Sequence, residues 1–250
     1  MSAFIRDIGK SSLIVPVSLA SRFARRRVGG KLFRNIGPFR AASAAAVTPD
    51  ATLSHTATVN DGSDLTTYTF AATAIGTAAA NRTILVGIAS NAVDVSTVTV
   101  GGSSASAVVS LGGANRRVAI WQVDFTTGTT ADIVVTFAAA AQDCGVDVWA
   151  AYGILGTAND TQTSVANPPS AVLSIPAGGV AVGIATNFIG SATWTWTNMT
   201  EDSDQVIPAS GNISYSAGST TSATAITPTI TATPSGTNSD RLALCSFGPG

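Results

Sequence analysis

The most continuous β-forming apolar run in the chain covers residues 83–91, Thr-Ile-Leu-Val-Gly-Ile-Ala-Ser-Asn. Its core, Val-Gly-Ile-Ala-Ser-Asn at 86–91, returns as Val-Gly-Ile-Ala-Thr-Asn at 182–187, and the copies differ only by serine and threonine. A short apolar run between polar and turn residues is typical of a buried strand. The repeat therefore predicts equivalent core strands in two halves of the chain, with Gly87 and Gly183 placed for close packing across a sheet.

Short segments of β-forming residues, separated by turn residues, fill the chain from about residue 48 onward. Strands at such spacing predict a sandwich or a barrel. The first half has strand patterns at 65–71, 83–90, 95–100, 117–125, 132–137 and 146–154. The second half has them at 171–175, 180–186, 192–197, 213–217, 226–233 and 241–247. About six strands in each half are expected.

The order of these segments defines the predicted fold. The halves, about residues 54–154 and 155–248, keep the same sequence of elements at nearly one offset, and they end in Ala-Tyr-Gly and Ser-Phe-Gly. We predict an all-β protein, a jelly-roll-like antiparallel β-sandwich over residues 47–250 with pseudo-repeated halves. An extended basic N-terminal arm, residues 1–46, precedes it. The pattern leaves open whether the halves share one core, and a single sandwich is favoured.

Composition agrees with an all-β fold and divides the charge unevenly. Charged residues are 11% of the chain, against ~25% in typical soluble domains, and the abundant threonine and valine favour pleated strands. Residues 1–45 hold nine basic residues and one acidic, a net charge of +8, whereas residues 46–250 hold four basic and thirteen acidic, a net charge of −9. Such a split predicts a basic tail with a partner of its own.

The arm interleaves its basic residues with apolar ones, and four of the nine phenylalanines of the chain lie within it. Aromatic and arginine side chains anchor protein interfaces. We therefore predict that the arm orders on an acidic protein partner. The predicted contact residues are Arg22, Phe23, Arg25, Arg26, Arg27, Lys31, Phe33, Arg34, Phe39 and Arg40. Phosphate binding and a disordered solubilising tail are weaker alternatives, so nucleic acid is not the expected partner. No apolar run approaches the ~20 residues of a membrane span.

Candidate catalytic chemistry is sparse. His55 is the only histidine, no nucleophile can be placed beside it, and an ordinary surface histidine is expected. The acidic clusters at 61–64 and 201–204 offer oxygen ligands for calcium, but solvated turn residues are the preferred interpretation. Cys144 and Cys245 are expected to be reduced core thiols, with a bridge left open. We predict no catalytic residue, no metal and no cofactor, and a protein that is not an enzyme.

A possible glycan platform is the pair Trp194 and Trp196. The two residues are two positions apart, so they share one face of a strand. An exposed aromatic pair could stack on a sugar ring. Core packing is the preferred interpretation, because Val98 and Val100 take the matching positions in the first half and have the character of core residues.

Three segments of the first half carry a resemblance to a known group of proteins. They read Arg-Val-Ala-Ile-Trp-Gln-Val-Asp-Phe at 117–125, Ala-Asp-Ile-Val-Val-Thr-Phe at 131–137 and Gly-Val-Asp-Val-Trp-Ala-Ala-Tyr-Gly at 145–153, with Thr-Thr-Gly-Thr-Thr between the first two. The chain from about residue 50 resembles the Thr/Ala/Gly-rich β-sandwich proteins among the virion components of tailed bacteriophages. Head decoration proteins, head fibres and tail or fibre modules use such sandwiches.

The resemblance implies a virion component that folds in the host bacterial cytoplasm. Together with the arm, it leads us to expect a non-enzymatic structural protein on the particle, on the capsid exterior, docked through residues 1–46 to the major capsid protein or another virion protein. Closed homo-oligomers are the usual rule, and a trimer is expected. The alternative is a tail or fibre module that binds a host receptor or glycan.

Overall fold

A computed structural model describes residues 50–190, 192–207 and 213–250. Residues 46–250 form one compact unit, and all the described residues belong to it. They form seventeen strands and, in the described ranges, no helix. That part of the chain accordingly holds no helical segment with the length and hydropathy of a membrane crossing.

The first half forms two antiparallel sheets from nine strands. Their bounds are β1 (Thr52–Asp61), β2 (Leu65–Ala74), β3 (Arg82–Ser90), β4 (Val95–Val100), β5 (Ser103–Ser104), β6 (Ser106–Leu111), β7 (Arg117–Asp124), β8 (Thr130–Ala141) and β9 (Cys144–Tyr152). The order is β1-β9-β3-β7-β6 in the five-stranded sheet and β2-β8-β4-β5 in the four-stranded sheet.

The second half repeats this arrangement with eight strands. Their bounds are β10 (Asp160–Ser164), β11 (Ser170–Val172), β12 (Gly179–Asn187), β13 (Trp194–Thr197), β14 (Thr200–Val206), β15 (Ser214–Ser222), β16 (Thr229–Pro234) and β17 (Arg241–Phe247). The sheets run β10-β17-β12-β15-β14 and β11-β16-β13. Every strand takes the place of one in the first half, and only the two-residue β5 has no counterpart. The pairing order in each half is that of a jelly roll, so the predicted fold class is confirmed.

Three apolar cores hold the four sheets together. Each half has a core between its own two sheets, represented by Ile84 and Val146 in the first half and by Leu242 and Leu244 in the second. A third core fills the space between the two five-stranded sheets. Its buried members include Leu85, Val118, Trp149, Val182, Ile184, Tyr215 and Phe247. The favoured single sandwich is thus corrected: two jelly-roll sandwiches are stacked through a shared core.

The repeated hexapeptide lies in β3 and β12, the central strands of the two five-stranded sheets. Both strands are buried along their whole length, since each is covered by a core on either face, which explains the uninterrupted apolar run. The two strands have the same place in their sheets, but the residues matched in the repeat face different cores. Val86 faces the first-half core, whereas Val182 faces the shared core. A shift of one residue reverses the face of every side chain.

Candidate functional site

The predicted contact residues of the arm lie outside the described residues. Trp194 and Trp196 lie within them, on β13, and both face the core of the second half. Trp194 is 2% exposed, and its Nε1 donates to Ser214 Oγ at 3.1 Å. Trp196 is half-buried and donates from Nε1 to Ser216 Oγ at 2.8 Å. Core packing is confirmed for Trp194, and Trp196 packs against the same core with part of its surface exposed, so the two rings do not form an exposed sugar-stacking pair.

A polar cluster crosses from one half to the other at β1, β9 and β14. His55 Nε2 lies 2.9 Å from Asp147 Oδ1. The same oxygen accepts hydrogen bonds from Thr58 Oγ1 at 2.7 Å and from Ser203 Oγ at 2.8 Å. Asp147 is fully buried, and the side chain of His55 is 19% exposed. The expectation of an ordinary surface histidine is therefore wrong: His55 is bound to a buried carboxylate.

The electrostatics of this cluster raise the pKa of His55. Burial lowers the pKa of His55, but the hydrogen bond and the charge of Asp147, with a further contribution from Asp202, outweigh burial and raise that pKa above its ordinary value. When His55 carries its second proton, it compensates the charge of the buried carboxylate, as interior charges have to be. The cluster therefore acts as a polar link between the two halves.

Serine, histidine and aspartate also form the catalytic triads of hydrolases, but the hydrogen bonds among Ser203, His55 and Asp147 are different. In a triad, the serine hydroxyl is bonded to the histidine, which removes its proton. Ser203 Oγ donates to Asp147 instead, so no base activates it as a nucleophile. The sequence could not reveal the cluster, because His55 and Asp147 are 92 positions apart.

The two acidic clusters have different structures. Asp61 ends β1, and its Oδ1 accepts from Ser63 N at 2.8 Å in the turn to β2, as a turn residue is expected to do. Residues 201–204 are part of strand β14, so the turn interpretation is wrong there. Asp202 Oδ2 accepts from Trp149 Nε1 at 2.7 Å. Across the described ranges, no group of three or more histidine, cysteine or acidic side chains is arranged to hold a metal ion.

The two cysteines behave as predicted. Cys144 lies in the first-half core and Cys245 in the shared core, and both are free and buried. Burial raises the pKa of each thiol. Since the thiolate is the reactive form, both groups are inert packing residues.

Loops from both halves meet in a cleft of about 180 Å³ at one end of the stacked sandwiches. The residues after β3, before β7 and between β8 and β9 contribute from the first half, and the residue after β12 contributes from the second. The lining residues are Asn91, Ala92, Ala114, Asn115, Arg116, Gln142 and Phe188. Nothing in the sequence singled out these residues, because they are spread over four separate loops.

Arg116, which lines this cleft, belongs to a buried ion pair. Arg116 is 1% exposed and Asp143 is fully buried, and Arg116 Nη1 lies 3.4 Å from Asp143 Oδ2. The guanidinium carbon is 4.9 Å from the ring centroid of Phe188, a cation–π contact between the halves. Burial raises the pKa of Asp143 to about 6, although Arg116 opposes the shift. Within the described part of the chain, Arg116 Nε and Asn91 Oδ1 are buried without a hydrogen-bond partner.

Comparisons with known proteins assign no family. No family model matches the chain, and no curated protein matches it. The functional conclusion therefore depends on the residues themselves.

Proposed function

We propose that the protein is a non-enzymatic structural component of a bacteriophage virion, attached to the particle, at the capsid exterior, through its N-terminal arm. The observation that carries the proposal is the division of charge, +8 in residues 1–45 against −9 in residues 46–250. The resemblance of residues 117–153 to virion sandwich proteins supports the setting. Ser203 donates its hydrogen bond to Asp147 rather than to His55, so it is not activated as a nucleophile, which supports a role without catalysis.

The chemistry of the arm suits docking on an acidic virion protein, such as the major capsid protein. Arginine side chains form bidentate pairs with carboxylates, and phenylalanine side chains supply the buried anchors that dominate interface energies. The net negative charge of residues 46–250 repels the same acidic surface, so the folded unit stays displayed outside it.

A homo-oligomer, with a trimer as the expected form, would present several arms and gain avidity. The chain would fold in the host cytoplasm before it joins the particle.

Deletion of residues 1–45 tests this proposal. Because residues 46–250 form a compact unit of their own, the truncated protein is expected to fold, with the thermal transition of the full chain, and to be missing from purified particles. Circular dichroism and quantification of the protein in particles measure the two results. Incorporation of the truncated protein at the level of the full chain would contradict the proposal.

Two sets of substitutions separate the charge of the arm from its aromatic anchors. Replacement of Arg25, Arg26 and Arg27 by glutamine removes charge alone, and Phe33→Ser with Phe39→Ser removes anchors alone. Both are expected to reduce incorporation, and only the phenylalanine variant is expected to keep the salt dependence of docking, because salt screens charges and not apolar contacts.

A tail or fibre module that binds a host receptor or glycan is the second candidate function. The observation that favours it is the Arg116 cleft, where loops of both halves combine carboxamide, guanidinium and aromatic groups. Loops on a rigid sandwich are a common position for binding residues.

A further inference from the structure

We propose that the Arg116 cleft is a binding site for one neutral sugar residue of a surface glycan. The inference rests on the second candidate function, receptor binding, and it does not depend on the arm. It replaces the pair Trp194 and Trp196, which packs against the core, with a site built from loops.

The dimensions of the cleft suit a ligand larger than a water molecule. A single water molecule needs a cavity volume of roughly 10–15 Å³, whereas the volume of the cleft is about 180 Å³. Its walls come from strand ends of both stacked sandwiches, so their relative position is fixed by the shared core. Small-molecule sites combine apolar surface with a few oriented polar groups, and this lining does the same.

The unpaired groups of the lining define the chemical class of the ligand. Arg116 Nε is a donor and Asn91 Oδ1 is an acceptor, and neither has a partner among the described residues. A buried polar group without a partner is costly. A hydroxyl group both donates and accepts, so a polyhydroxylated ligand can satisfy the two atoms together. The carboxamides of Asn115 and Gln142 extend the same capacity along the lining.

Access to these two atoms requires a local adjustment. Neither atom is exposed, so a hydroxyl reaches them when the Asn91 and Arg116 side chains rotate. The ion pair allows such a movement, because its N–O distance of 3.4 Å is longer than the 2.7–2.9 Å of a tight charge-assisted bond. Binding should therefore change the environment of Arg116 Nε directly.

Charge selects a neutral sugar over an acidic one. Asp143 compensates the charge of Arg116, and residues 46–250 as a whole hold four basic and thirteen acidic residues. An anionic ligand would thus meet a neutral site on a negative body. Phe188, which is 36% exposed, offers aromatic surface for the apolar face of a pyranose.

Titration of the full-length protein with monosaccharides tests the site. The probes are D-glucose, D-galactose, D-mannose and N-acetyl-D-glucosamine, with D-glucuronate as the charged counterpart. The readout is the NMR resonance of Arg116 Nε–H, which is assigned by its disappearance in Arg116→Lys. At least one neutral sugar is expected to shift this resonance saturably, and glucuronate is expected to bind more weakly.

Surface variants keep the test valid if Arg116→Lys does not fold. Phe188→Ala is expected to weaken sugar binding by about tenfold, whereas Leu155→Ala, which removes an exposed apolar side chain outside the lining, is expected to leave it unchanged. The proposal is overturned if no neutral sugar gives a saturable shift, which would mean that ordered water alone fills the cleft. Preference for glucuronate, or equal affinity in Phe188→Ala, would also overturn it. Loss of particle incorporation on arm deletion is measured separately and is unaffected by either result.

Discussion

Glycines in the central strands make room for the tryptophan rings that fill the cores. A Cβ atom at Gly87 would lie 2.9 Å from Trp149 Cζ3, and one at Gly183 would lie 2.9 Å from Trp196 Cζ3. Both distances are below van der Waals contact. Trp149 cannot easily retreat, because its Nε1 is held by Asp202 at 2.7 Å. The close packing that the sequence predicted at these two glycines is therefore present, although it faces different cores.

Substitution of Gly87 by alanine is expected to destabilise the protein by about 1–3 kcal/mol, the usual cost of forcing one extra group into a filled core. The matched control is Gly156→Ala, since a Cβ atom there meets nothing within 4 Å, and its unfolding free energy should stay within about 0.5 kcal/mol of wild type. Urea unfolding measures both. Equal stability of the two variants would refute the packing argument.

At the scale of elements, the sequence revealed the inner strands and concealed the outer ones. The predicted strands 95–100 and 241–247 agree with β4 (Val95–Val100) and β17 (Arg241–Phe247). The strands without a prediction include β1, β6, β10 and β14, which are the four edges of the five-stranded sheets. Edge strands are partly exposed, so they carry little of the apolar pattern that identifies buried strands.

The polar sites were hidden for a related reason. The cluster at Asp147 joins side chains from β1 and β14, two of the strands that had no prediction. The Arg116 cleft joins loops from both halves, and it exists only because the halves are stacked. The pattern along the chain shows neither the stacking of the halves nor the pairing of distant strands. Composition excluded only a zinc motif and a helical protein rich in charged residues.

The link between β1 and β9 predicts a specific pH dependence. The raised pKa of His55 means that the folded protein holds this proton more tightly than the unfolded chain does. Its stabilising contribution is complete below the ordinary pKa of 6.5 and is lost as the pH rises through the raised value. The melting temperature of wild type should therefore fall over this range by more than that of His55→Asn.

Melting curves of both proteins across neutral pH check this expectation. Asp143, whose pKa is raised from 3.8 to about 6, contributes in the same direction at lower pH in both proteins, so the difference between them isolates His55. Parallel pH profiles for wild type and His55→Asn would show that the charge of His55 does not stabilise the folded protein through Asp147.

At the scale of the whole molecule, the folded unit and the basic N-terminal segment differ in charge. Three cores fix two jelly-roll sandwiches in one body, and the buried cysteines and tryptophans contribute packing. Nine of the thirteen basic residues of the chain lie in residues 1–45. We therefore propose that the arm attaches the protein and that the folded unit, with the Arg116 cleft at one end, is displayed.

The most direct test of this assignment asks whether the arm is sufficient for attachment. Residues 1–46 are fused to an unrelated soluble carrier and mixed with particles that lack the protein, and the carrier that sediments with the particles is measured. The account predicts that the fusion sediments with the particles, and that residues 47–250 alone remain in solution. A free fusion protein together with particle-bound residues 47–250 would contradict it.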